Sequence, residues 1–321
     1  MEEVGRFRVD LARAFGDGHG GVIGLAVSGG PDSMAMLALA TEALDGRVSV
    51  ATVDHRLRPE AEREAALVAG ACVRLGVPHA VLVPDAAIVG AGVQAQARGV
   101  RYALLARWAG AGGIEAVATA HHADDQAETF LMRAGRGSGL AGLAGVRART
   151  VIAGMMVVRP LLDWRRAELR AVARRRELPF VDDPSNADDR FERTRVRRLL
   201  DANEWLGPAN LARSAGYLAE ADGDLRAVVD WLWAARAVVD GDDVRVNATD
   251  LPREVRRRLV RRALAVTRAV AGLTEPAFGE ASNVEAMLDG LEQGRRVTQA
   301  GVLASVRDGR WRLRPAPPRR S

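Results

Sequence analysis

Ser28-Gly29-Gly30-Pro31-Asp32-Ser33 is the stretch that decides the fold, because it joins an apolar run to a helical pattern. The run Val22–Val27 predicts a buried strand, and a helix is expected to begin near Asp32. Two adjacent glycines permit backbone conformations in which successive N–H groups converge on an anion, and a helix N-terminus adds partial positive charge. Ser28 and Ser33 can donate to phosphate oxygens, and Asp32 can hold Mg²⁺. The alternative is a tight turn in which Asp32 or Ser33 caps the helix.

The basic residues are all of one kind: the Lys+Arg total is 46, and every one of these residues is arginine. Lysine therefore cannot act here as a Schiff-base nucleophile, an adenylation site or the phosphate clamp of a GxxxxGK[ST] loop. Cationic contacts must come from arginine, whose planar guanidinium suits phosphates and stacked bases. Residues 147–198 hold 14 arginines against 8 acidic residues, whereas the whole chain carries only +5. This local excess predicts a polyanionic partner, and a solvated helix face is the alternative.

Cys72 is the one cysteine of the sequence, which excludes a disulfide framework, a zinc ribbon and a CxxC redox pair. The residues after Met1 lack the positive-then-apolar pattern of a secretory signal. No apolar run approaches the ~18 residues that a membrane span needs. These features predict a cytoplasmic protein with no membrane partner.

Short apolar runs alternate with helical patterns over the larger part of the chain. The predicted strands are Val22–Val27, Val48–Val53, Ala80–Val83, Ala116–Thr119 and Val151–Val158. The predicted helices are Asp32–Leu44, Glu60–Leu75, Val93–Ala109 and Asp124–Arg133. Near-continuous apolar strands separated by helices indicate an α/β fold with a doubly wound, mostly parallel sheet that is covered on both faces. Such sheets bind ligands at the carboxyl ends of their strands, so we expect the site in the loops after Val27, Val53 and Thr119.

The pattern changes after residue 203. We therefore divide the chain into a catalytic domain, residues 1–203, and a smaller, mainly helical domain, residues 204–321. The predicted helices of the second domain are Ala209–Val238, Arg253–Ala271 and Ser282–Gly290. Asp308-Gly309 separates two apolar alternations, Val297–Ser305 and Arg310–Arg314, and this pattern predicts a C-terminal hairpin.

A second polar cluster, His121-His122-Ala123-Asp124-Asp125-Gln126-Ala127-Glu128-Thr129, follows the strand that ends at Thr119. If a helix begins at Asp124, then Asp124 and Glu128 share one face, and Asp125 and Thr129 share the next. Neighbouring carboxylates can bind Mg²⁺ or a cationic amine, or raise one another's pKa for proton transfer. Two alternatives stay open: a dinuclear metal site that includes the histidines, or acidic residues that only favour a helix N-terminus.

The glycine loop, this cluster and the following Arg136-Gly137-Ser138-Gly139-Leu140 together resemble the tRNA(Ile)-lysidine synthetase branch of the PP-loop ATP-pyrophosphatase family. Further blocks occur in the order of that branch: Val53-Asp54-His55 with Leu57-Arg58, Ala97-Arg98 with Arg101-Tyr102, Arg159-Pro160-Leu161-Leu162, and Asp183-Pro184-Ser185-Asn186 with Arg193, Arg195 and Arg197. The likeness covers residues 22–200 and implies the PP-loop, adenine nucleotide alpha hydrolase-like fold. Residues 204–321 are similar to the family's tRNA-contacting domain only in general character.

The resemblance implies a ligase that makes lysidine in two steps. ATP first adenylates O2 of the wobble cytidine in the CAU anticodon of tRNA(Ile), and diphosphate leaves. The amine of free L-lysine then attacks C2 and expels AMP. The modified tRNA reads AUA instead of AUG and accepts isoleucine instead of methionine. ATP is thus an expected substrate, Mg²⁺ the expected metal, and tRNA(Ile) and L-lysine the expected partners, while a homodimer stays open.

The resemblance also implies roles for the matching residues. ATP contacts are expected from Ser28, Gly29, Gly30, Pro31, Asp32, Ser33, Asp54, His55, Arg98, Arg101 and Gly137. Arg98 and Arg101, one helical turn apart, are expected to neutralise the leaving diphosphate. Asp32 and Asp124 are the expected Mg²⁺ ligands, and the catalytic set is Asp32, Asp124, Asp125 and Glu128.

Lysine and tRNA are assigned to separate groups of residues. Asp125 and Glu128 are expected to bind the cationic amino acid and to take a proton from its amine, since only the neutral amine is nucleophilic. The expected tRNA contacts, which grip the anticodon loop, are Asn186, Arg193, Arg195 and Arg197. The interval of two residues spreads the arginines around a helix, or aligns them on one face of an extended segment.

Three rival functions remain. A tRNA thiolase of the same superfamily needs more cysteines than Cys72 for its sulfur chemistry or its iron–sulfur cluster. A metal-dependent phosphohydrolase built on His121, His122, Asp124 and Asp125 would not need the loop Ser28–Ser33. A non-catalytic tRNA-binding protein would bind tRNA in a salt-dependent way and turn over no ATP.

Overall fold

The structure is a computed structural model, and it describes residues 2–16, 20–56, 60–88, 90, 92–182, 192–279 and 282–317 of the 321-residue chain. The chain divides into two compact units, Met1–Ala219 and Glu220–Ser321. This division lies later in the sequence than the predicted boundary between residues 203 and 204.

A six-stranded sheet forms the centre of the first unit. Its strands are β1 (Val22–Ala26), β2 (Val48–Val53), β3 (His79–Leu82), β4 (Ile114–Thr119), β5 (Arg149–Ile152) and β6 (Met155–Val158). Their order is β3-β2-β1-β4-β6-β5, and all neighbours are parallel except β5, which runs antiparallel to β6. The predicted mostly parallel sheet is therefore confirmed. The strand order reverses between β1 and β4, so the loops after these two strands flank one crevice.

Helices cover both faces of this sheet. They are α1 (Glu2–Phe15), α2 (Pro31–Ala43), α3 (Glu60–Leu75), α4 (Val93–Ala111), α5 (Ala123–Ala134), α6 (Leu140–Leu143), α7 (Arg166–Arg175) and α8 (Glu192–Asp201). Successive strand residues face opposite sides of a sheet, so Val50 packs in one core with Leu37 of α2, and Ala51 packs in another with Leu105 of α4. This arrangement is the doubly wound fold that the sequence predicts. Helix α1 was not predicted.

The predicted strand Val151–Val158 is wrong as a single strand. The chain turns back at Ala153 and Gly154, which have φ values of 51° and 78°, and the residues on either side pair as the antiparallel strands β5 and β6. Positive φ at both central residues is typical of a two-residue hairpin turn. The turn is hidden in the sequence because Ala153 reads as part of the apolar run.

The second unit contains a five-stranded antiparallel sheet. Its strands are β7 (Ala237–Asp240), β8 (Asp243–Val246), β9 (Val297–Gln299), β10 (Val302–Arg307) and β11 (Arg310–Pro315), in the order β7-β8-β11-β10-β9. Its helices are the C-terminal part of α9 (Pro208–Arg236), α10 (Arg253–Val270) and α11 (Glu285–Glu292). The hairpin at Asp308-Gly309 is confirmed, with φ values of 51° and 71°. The sequence did not predict β7 and β8, since Val238 continued the apolar pattern of the preceding helix.

None of the helices in the described part of the chain combines the length and the apolar character that crossing a membrane requires.

Candidate active site

The loop between β1 and α2 has the geometry of an anion cradle. Gly29 has a φ of +86°, a conformation that residues with a side chain rarely adopt. The hydroxyl of Ser33 accepts from the N–H of Ser28 at 3.2 Å and donates to the carbonyl of Gly30 at 3.0 Å. Pro31 occupies the first turn of α2. The Ser33 hydroxyl thus stabilises the loop through hydrogen bonds to its backbone. The N-cap residue of α2 is Gly30, so no side chain caps the start of this helix.

A cavity of about 680 Å³ opens beside this loop. Its lining comes from the ends of β1, β2 and β4, which are the three places where the sequence predicts the site. Helix α4 closes another side of the cavity. The predicted ATP-binding residues that line it are Ser28, Gly30, Asp32, Ser33, His55, Arg98 and Arg101.

The other predicted ATP-binding residues do not line this cavity. Gly29 and Pro31 belong to the same loop as Ser28 and Asp32. The carboxylate of Asp54 accepts the N–H of Arg56 at 2.8 Å, so it shapes the turn after β2. Gly137 lies in the turn beyond the C-terminal end of α5, whereas the cavity lies at its N-terminal end. Twelve helical residues rise by about 18 Å, which explains the separation of Gly137 from the cavity.

Two arginines of α4 supply positive charge to the cavity. The guanidinium carbons of Arg98 and Arg101 lie 5.1 Å and 5.3 Å from the ring centre of Tyr102. Burial lowers the pKa of Arg101, yet a guanidinium stays protonated at neutral pH. His55 lines the same region, and its buried Nδ1 atom has no hydrogen-bond partner in the protein. Arginines and an unpaired imidazole nitrogen are suited to an anionic ligand that carries hydrogen-bonding groups.

His122 connects the glycine loop to the acidic helix α5. Its Nε2 atom lies 3.4 Å from Asp32 Oδ2 and 3.6 Å from Asp125 Oδ2. Its Nδ1 atom accepts the backbone N–H of Asp125, while Asp125 accepts the backbone N–H of His122. Burial alone would lower the pKa of His122, but the hydrogen bond to Asp32 and the charges of Asp125 and Asp32 outweigh burial and raise it. One buried imidazole thus caps α5 and fixes the separation of two carboxylates.

The neighbouring His121 is different in character. It lines the cavity, and its Nδ1 atom lies 2.9 Å from the hydroxyl of Thr119. Burial lowers its pKa to about 4, and the nearby arginines act in the same direction. His121 is therefore neutral at neutral pH. His122 thus caps α5, and His121 contacts Thr119 at the end of β4. These two roles account for the histidine pair without a dinuclear metal site.

The carboxylate of Asp124 is held by arginine. Arg165 donates to both of its oxygens at 3.1 Å, and the backbone N–H of Arg166 donates to Oδ2 at 2.8 Å. Burial raises the pKa of Asp124, but the bonds from Arg165 and Arg166 outweigh burial and lower it. The structure therefore uses Asp124 to anchor the start of α7, and does not present it to the cavity as the predicted metal ligand.

Glu128 is fully buried among three arginines. Its Oε1 atom accepts from Arg166 Nη2 and from Arg197 Nε, each at 2.8 Å. Arg193 Nε lies 3.3 Å from Oε2, an atom that has no hydrogen-bond partner. Asp125 lines the cavity and Glu128 does not, so the two predicted lysine-binding carboxylates differ in their access to ligand.

The predicted tRNA-binding arginines belong to helix α8, so the helical alternative for their spacing is confirmed. Arg193 and Arg197 share the face that contacts Glu128, whereas Arg195 is exposed. Arg193 also lines the cavity. The predicted contact Asn186 lies outside the described residues.

Arg165 and Arg166 are the functional residues that the sequence analysis missed. They follow Trp164, whose ring nitrogen donates to the buried carboxylate of Asp10 at 2.9 Å and whose carbonyl accepts the N–H of Ala123 at 2.8 Å. This segment therefore fixes the first turn of α5. The available signal was two adjacent arginines that follow the block Arg159-Pro160-Leu161-Leu162 after two intervening residues, but nothing in the sequence pairs them with the acidic helix.

Asp32 fits the part of a metal ligand. Its Oδ1 atom is buried and has no hydrogen-bond partner in the protein. Among the residues that the structure describes, no group of three His, Cys, Asp or Glu side chains could hold a metal ion. Mg²⁺ commonly takes only one or two carboxylates and completes its shell with water and substrate phosphates, so a single free carboxylate oxygen beside a phosphate loop suits it.

Comparisons with known proteins agree with this arrangement. The PP-loop domain family matches residues 6–203. A tRNA(Ile)-lysidine synthase from Zymomonas mobilis subsp. mobilis is 41% identical over 304 residues, which make up 94% of this chain and 90% of that protein. A tRNA(Ile)-lysidine synthase from Novosphingobium aromaticivorans is 43% identical over 319 residues, 98% of this chain and 94% of that protein.

Among solved structures, the U34-tRNA thiolase NcsA from Methanococcus maripaludis, described with its 4Fe-4S cluster, matches with a TM-score of 0.56. The match covers 68% of this chain and 79% of the thiolase at 17% sequence identity. At this level of identity the likeness concerns the fold alone.

Proposed function

The chain belongs to the tRNA(Ile)-lysidine synthase family, and from this premise we propose that it joins free L-lysine to the wobble cytidine of the CAU anticodon of tRNA(Ile) at the expense of ATP. The product is lysidine, and the by-products are AMP and diphosphate. The observation that carries the proposal is that Asp32 of the glycine loop and Asp125 of the acidic helix face one cavity, joined through His122.

Adenylation of the cytidine is the first step. The backbone N–H groups of the glycine loop and the start of α2 receive the phosphates of ATP, which a helix N-terminus favours. Arg98 and Arg101 neutralise the leaving diphosphate. Asp32 would hold Mg²⁺ through its unpaired Oδ1 atom, and the metal would supply charge stabilisation for the phosphates. Asp124 would have to leave Arg165 to become a second ligand, whereas Asp125 already contacts the same His122 nitrogen as Asp32.

Attack by lysine is the second step. The pKa of Asp125 is lowered, because the charges of His122 and Arg193 and the hydrogen bond from the backbone N–H of His122 outweigh the effect of its burial. An ionised carboxylate in the cavity attracts the ammonium group of lysine and orients it. The ammonium group must lose one proton before it attacks, because only the neutral amine is nucleophilic, and formation of the C–N bond releases a second proton. Asp125, the carboxylate of α5 that lines the cavity, accepts the first proton, and the second is released to solvent.

Arg193, Arg195 and Arg197 of α8, together with Asn186, are the proposed contacts to the anticodon loop. Splayed bases and phosphates of single-stranded RNA are commonly bound by arginine. We place the reaction in the cytoplasm, where ATP, lysine and tRNA are available together, and a homodimer stays a prediction.

The thiolase rival is disfavoured by the only cysteine of the sequence. Cys72 lies in α3, is 1% exposed, and burial raises the pKa of its thiol to about 11. A nucleophilic sulfur needs the thiolate, which these surroundings suppress.

The proposed function is tested by following AMP release from ATP labelled in its α-phosphate. With tRNA(Ile) carrying CAU, we expect AMP to form only when lysine is also present in the reaction. A protein that releases AMP without tRNA, or inorganic phosphate from simple phosphoesters, would instead support the phosphohydrolase.

A further inference from the structure

The two oxygens of the buried Glu128 carboxylate have unequal partners. Oε1 accepts two hydrogen bonds, from Arg166 and from Arg197, both at 2.8 Å. Oε2 is buried and accepts none, although Arg193 Nε lies 3.3 Å away. Burying a carboxylate oxygen that accepts no hydrogen bond costs free energy. Oε2 can therefore accept a hydrogen bond from a donor that is better placed than Arg193.

Arg193 stands between this oxygen and the cavity. It is the one member of the three arginines that lines the cavity in the described part of the chain. Its side chain is 48% exposed, compared with 22% for Arg166 and 21% for Arg197. Its further contact is a 3.3 Å hydrogen bond to the hydroxyl of Thr129. Arg193 is therefore the most weakly held cation of the group.

The charges around Glu128 permit Arg193 to be replaced there by another cation. Arg166 and Arg197 alone already exceed the single negative charge of Glu128, so Arg193 is not required to neutralise it. Replacing one cation by another at Oε2 leaves the net charge of the buried cluster unchanged, which avoids the large penalty of an unpaired buried charge.

We propose that the guanidinium of Arg193 occupies the subsite of an ammonium group of the substrate, and that lysine displaces it from Glu128. The inference rests on the proposed function, since it requires lysine to be the substrate. The incoming ammonium donates to Oε2, a hydrogen bond that Arg193 does not make. The displaced Arg193 turns to the cavity, where it can contact a phosphate of the RNA. Lysine binding and tRNA binding are thereby coupled through one side chain.

Competition between Arg193 and lysine for Glu128 makes a distinctive prediction for Arg193→Ala. At saturating ATP and tRNA, the Michaelis constant for lysine falls by about threefold, because removal of a half-exposed ion pair releases only a modest constraint. Arg107→Ala, which removes the exposed ion pair of α4 with Asp85, leaves the Michaelis constant for lysine at the wild-type value. Arg193→Lys retains a cation beside Glu128 and therefore does not lower it. A Michaelis constant for lysine in Arg193→Ala equal to or above that of Arg107→Ala would overturn the inference.

Coupling gives a second readout that a merely structural role would not move. Coupling free energies are reciprocal, so saturating lysine strengthens binding of tRNA to the wild-type protein by about twofold to threefold and has no such effect in Arg193→Ala. An equal effect of lysine on both proteins would contradict the exchange. If the wild-type protein attaches no lysine to tRNA, the proposed function itself fails. If it does and Arg193→Ala behaves as wild type, only the exchange fails.

Discussion

The Nε2 atom of His122 lies 3.4 Å from Oδ2 of Asp32 and ties the loop after β1 to the helix after β4. These two segments meet where the strand order of the sheet reverses, the position at which open α/β sheets bind ligands. The contact leaves Asp32 Oδ1 without a partner, and it places Asp125 Oδ2 3.6 Å from the same imidazole nitrogen. One buried histidine thus contacts both Asp32, the proposed metal ligand of the phosphate site, and Asp125, the proposed proton acceptor for lysine.

Asp32→Asn tests the assignment of the metal and phosphate chemistry. The amide keeps the shape of the side chain but removes its charge, so we expect adenylation to fall by about 100-fold or more. Binding of tRNA should stay close to the wild-type value, because the predicted arginine contacts to tRNA lie on α8. The measurements are diphosphate release and filter binding of labelled tRNA. Unchanged diphosphate release would refute the role of Asp32.

Two substitutions of His122 separate its cap from its link to Asp32. Asparagine can still accept the N–H of Asp125, whereas alanine cannot, so His122→Ala should lower the free energy of unfolding by about 1 kcal/mol relative to His122→Asn. Both variants lose the contact with Asp32, and adenylation should fall by about 10-fold to 100-fold in each, because the loop is less well positioned. Urea unfolding and diphosphate release check the two effects. Full activity in His122→Asn would show that only the cap matters.

Glu128→Gln tests the buried arginine cluster. Loss of the charge leaves Arg166 and Arg197 without their carboxylate, and we expect the free energy of unfolding to fall by about 2–3 kcal/mol. We also expect weaker use of lysine, with adenylation less affected. The matched control is Glu192→Gln, whose partner Arg136 is exposed, and it should change stability by only about 0.5 kcal/mol. Equal loss of both reaction steps would show that Glu128 does not act on lysine.

Replacing Arg193 and Arg197 together by alanine tests the contact with RNA. Each phosphate contact contributes about 0.7–0.9 to the slope of log affinity against log salt, so the slope should become shallower by about 1.5. Affinity for tRNA should fall accordingly. Arg107→Ala provides a control, because Arg107 is an exposed residue of α4 paired with the exposed Asp85. The measurement is filter binding at several salt concentrations in the presence of saturating lysine, and a slope equal to that of the control would count against the contact.

Local signals in the sequence predicted the parts of the fold that local chemistry determines. The loop Ser28–Ser33 was recognisable because glycines after an apolar strand and before a helix have few other uses, and Asp308-Gly309 marked its hairpin for a similar reason. The turn at Ala153-Gly154 was missed because alanine does not interrupt an apolar run.

The sequence predicted which residues belong to the site better than it predicted which residues they contact. The sequence identified Asp124 and Glu128 as a chemical pair, but their arginine partners come from segments far along the chain, so their burial and pairing depend on tertiary packing. Charge and spacing alone therefore predicted that the carboxylates of Asp124 and Glu128 are free to bind a ligand. In the structure, Asp125 is the carboxylate of α5 that lines the cavity.

The most direct test of the central claim is mass spectrometry of the nucleosides from a tRNA(Ile) transcript carrying CAU. The transcript is incubated with the protein, ATP, Mg²⁺ and isotope-labelled lysine, then digested, and a matched transcript with uridine at the wobble position serves as control. We predict a cytidine that carries labelled lysine in the CAU transcript and no labelled nucleoside in the control. Unmodified cytidine in the presence of well-folded protein would contradict the proposed function.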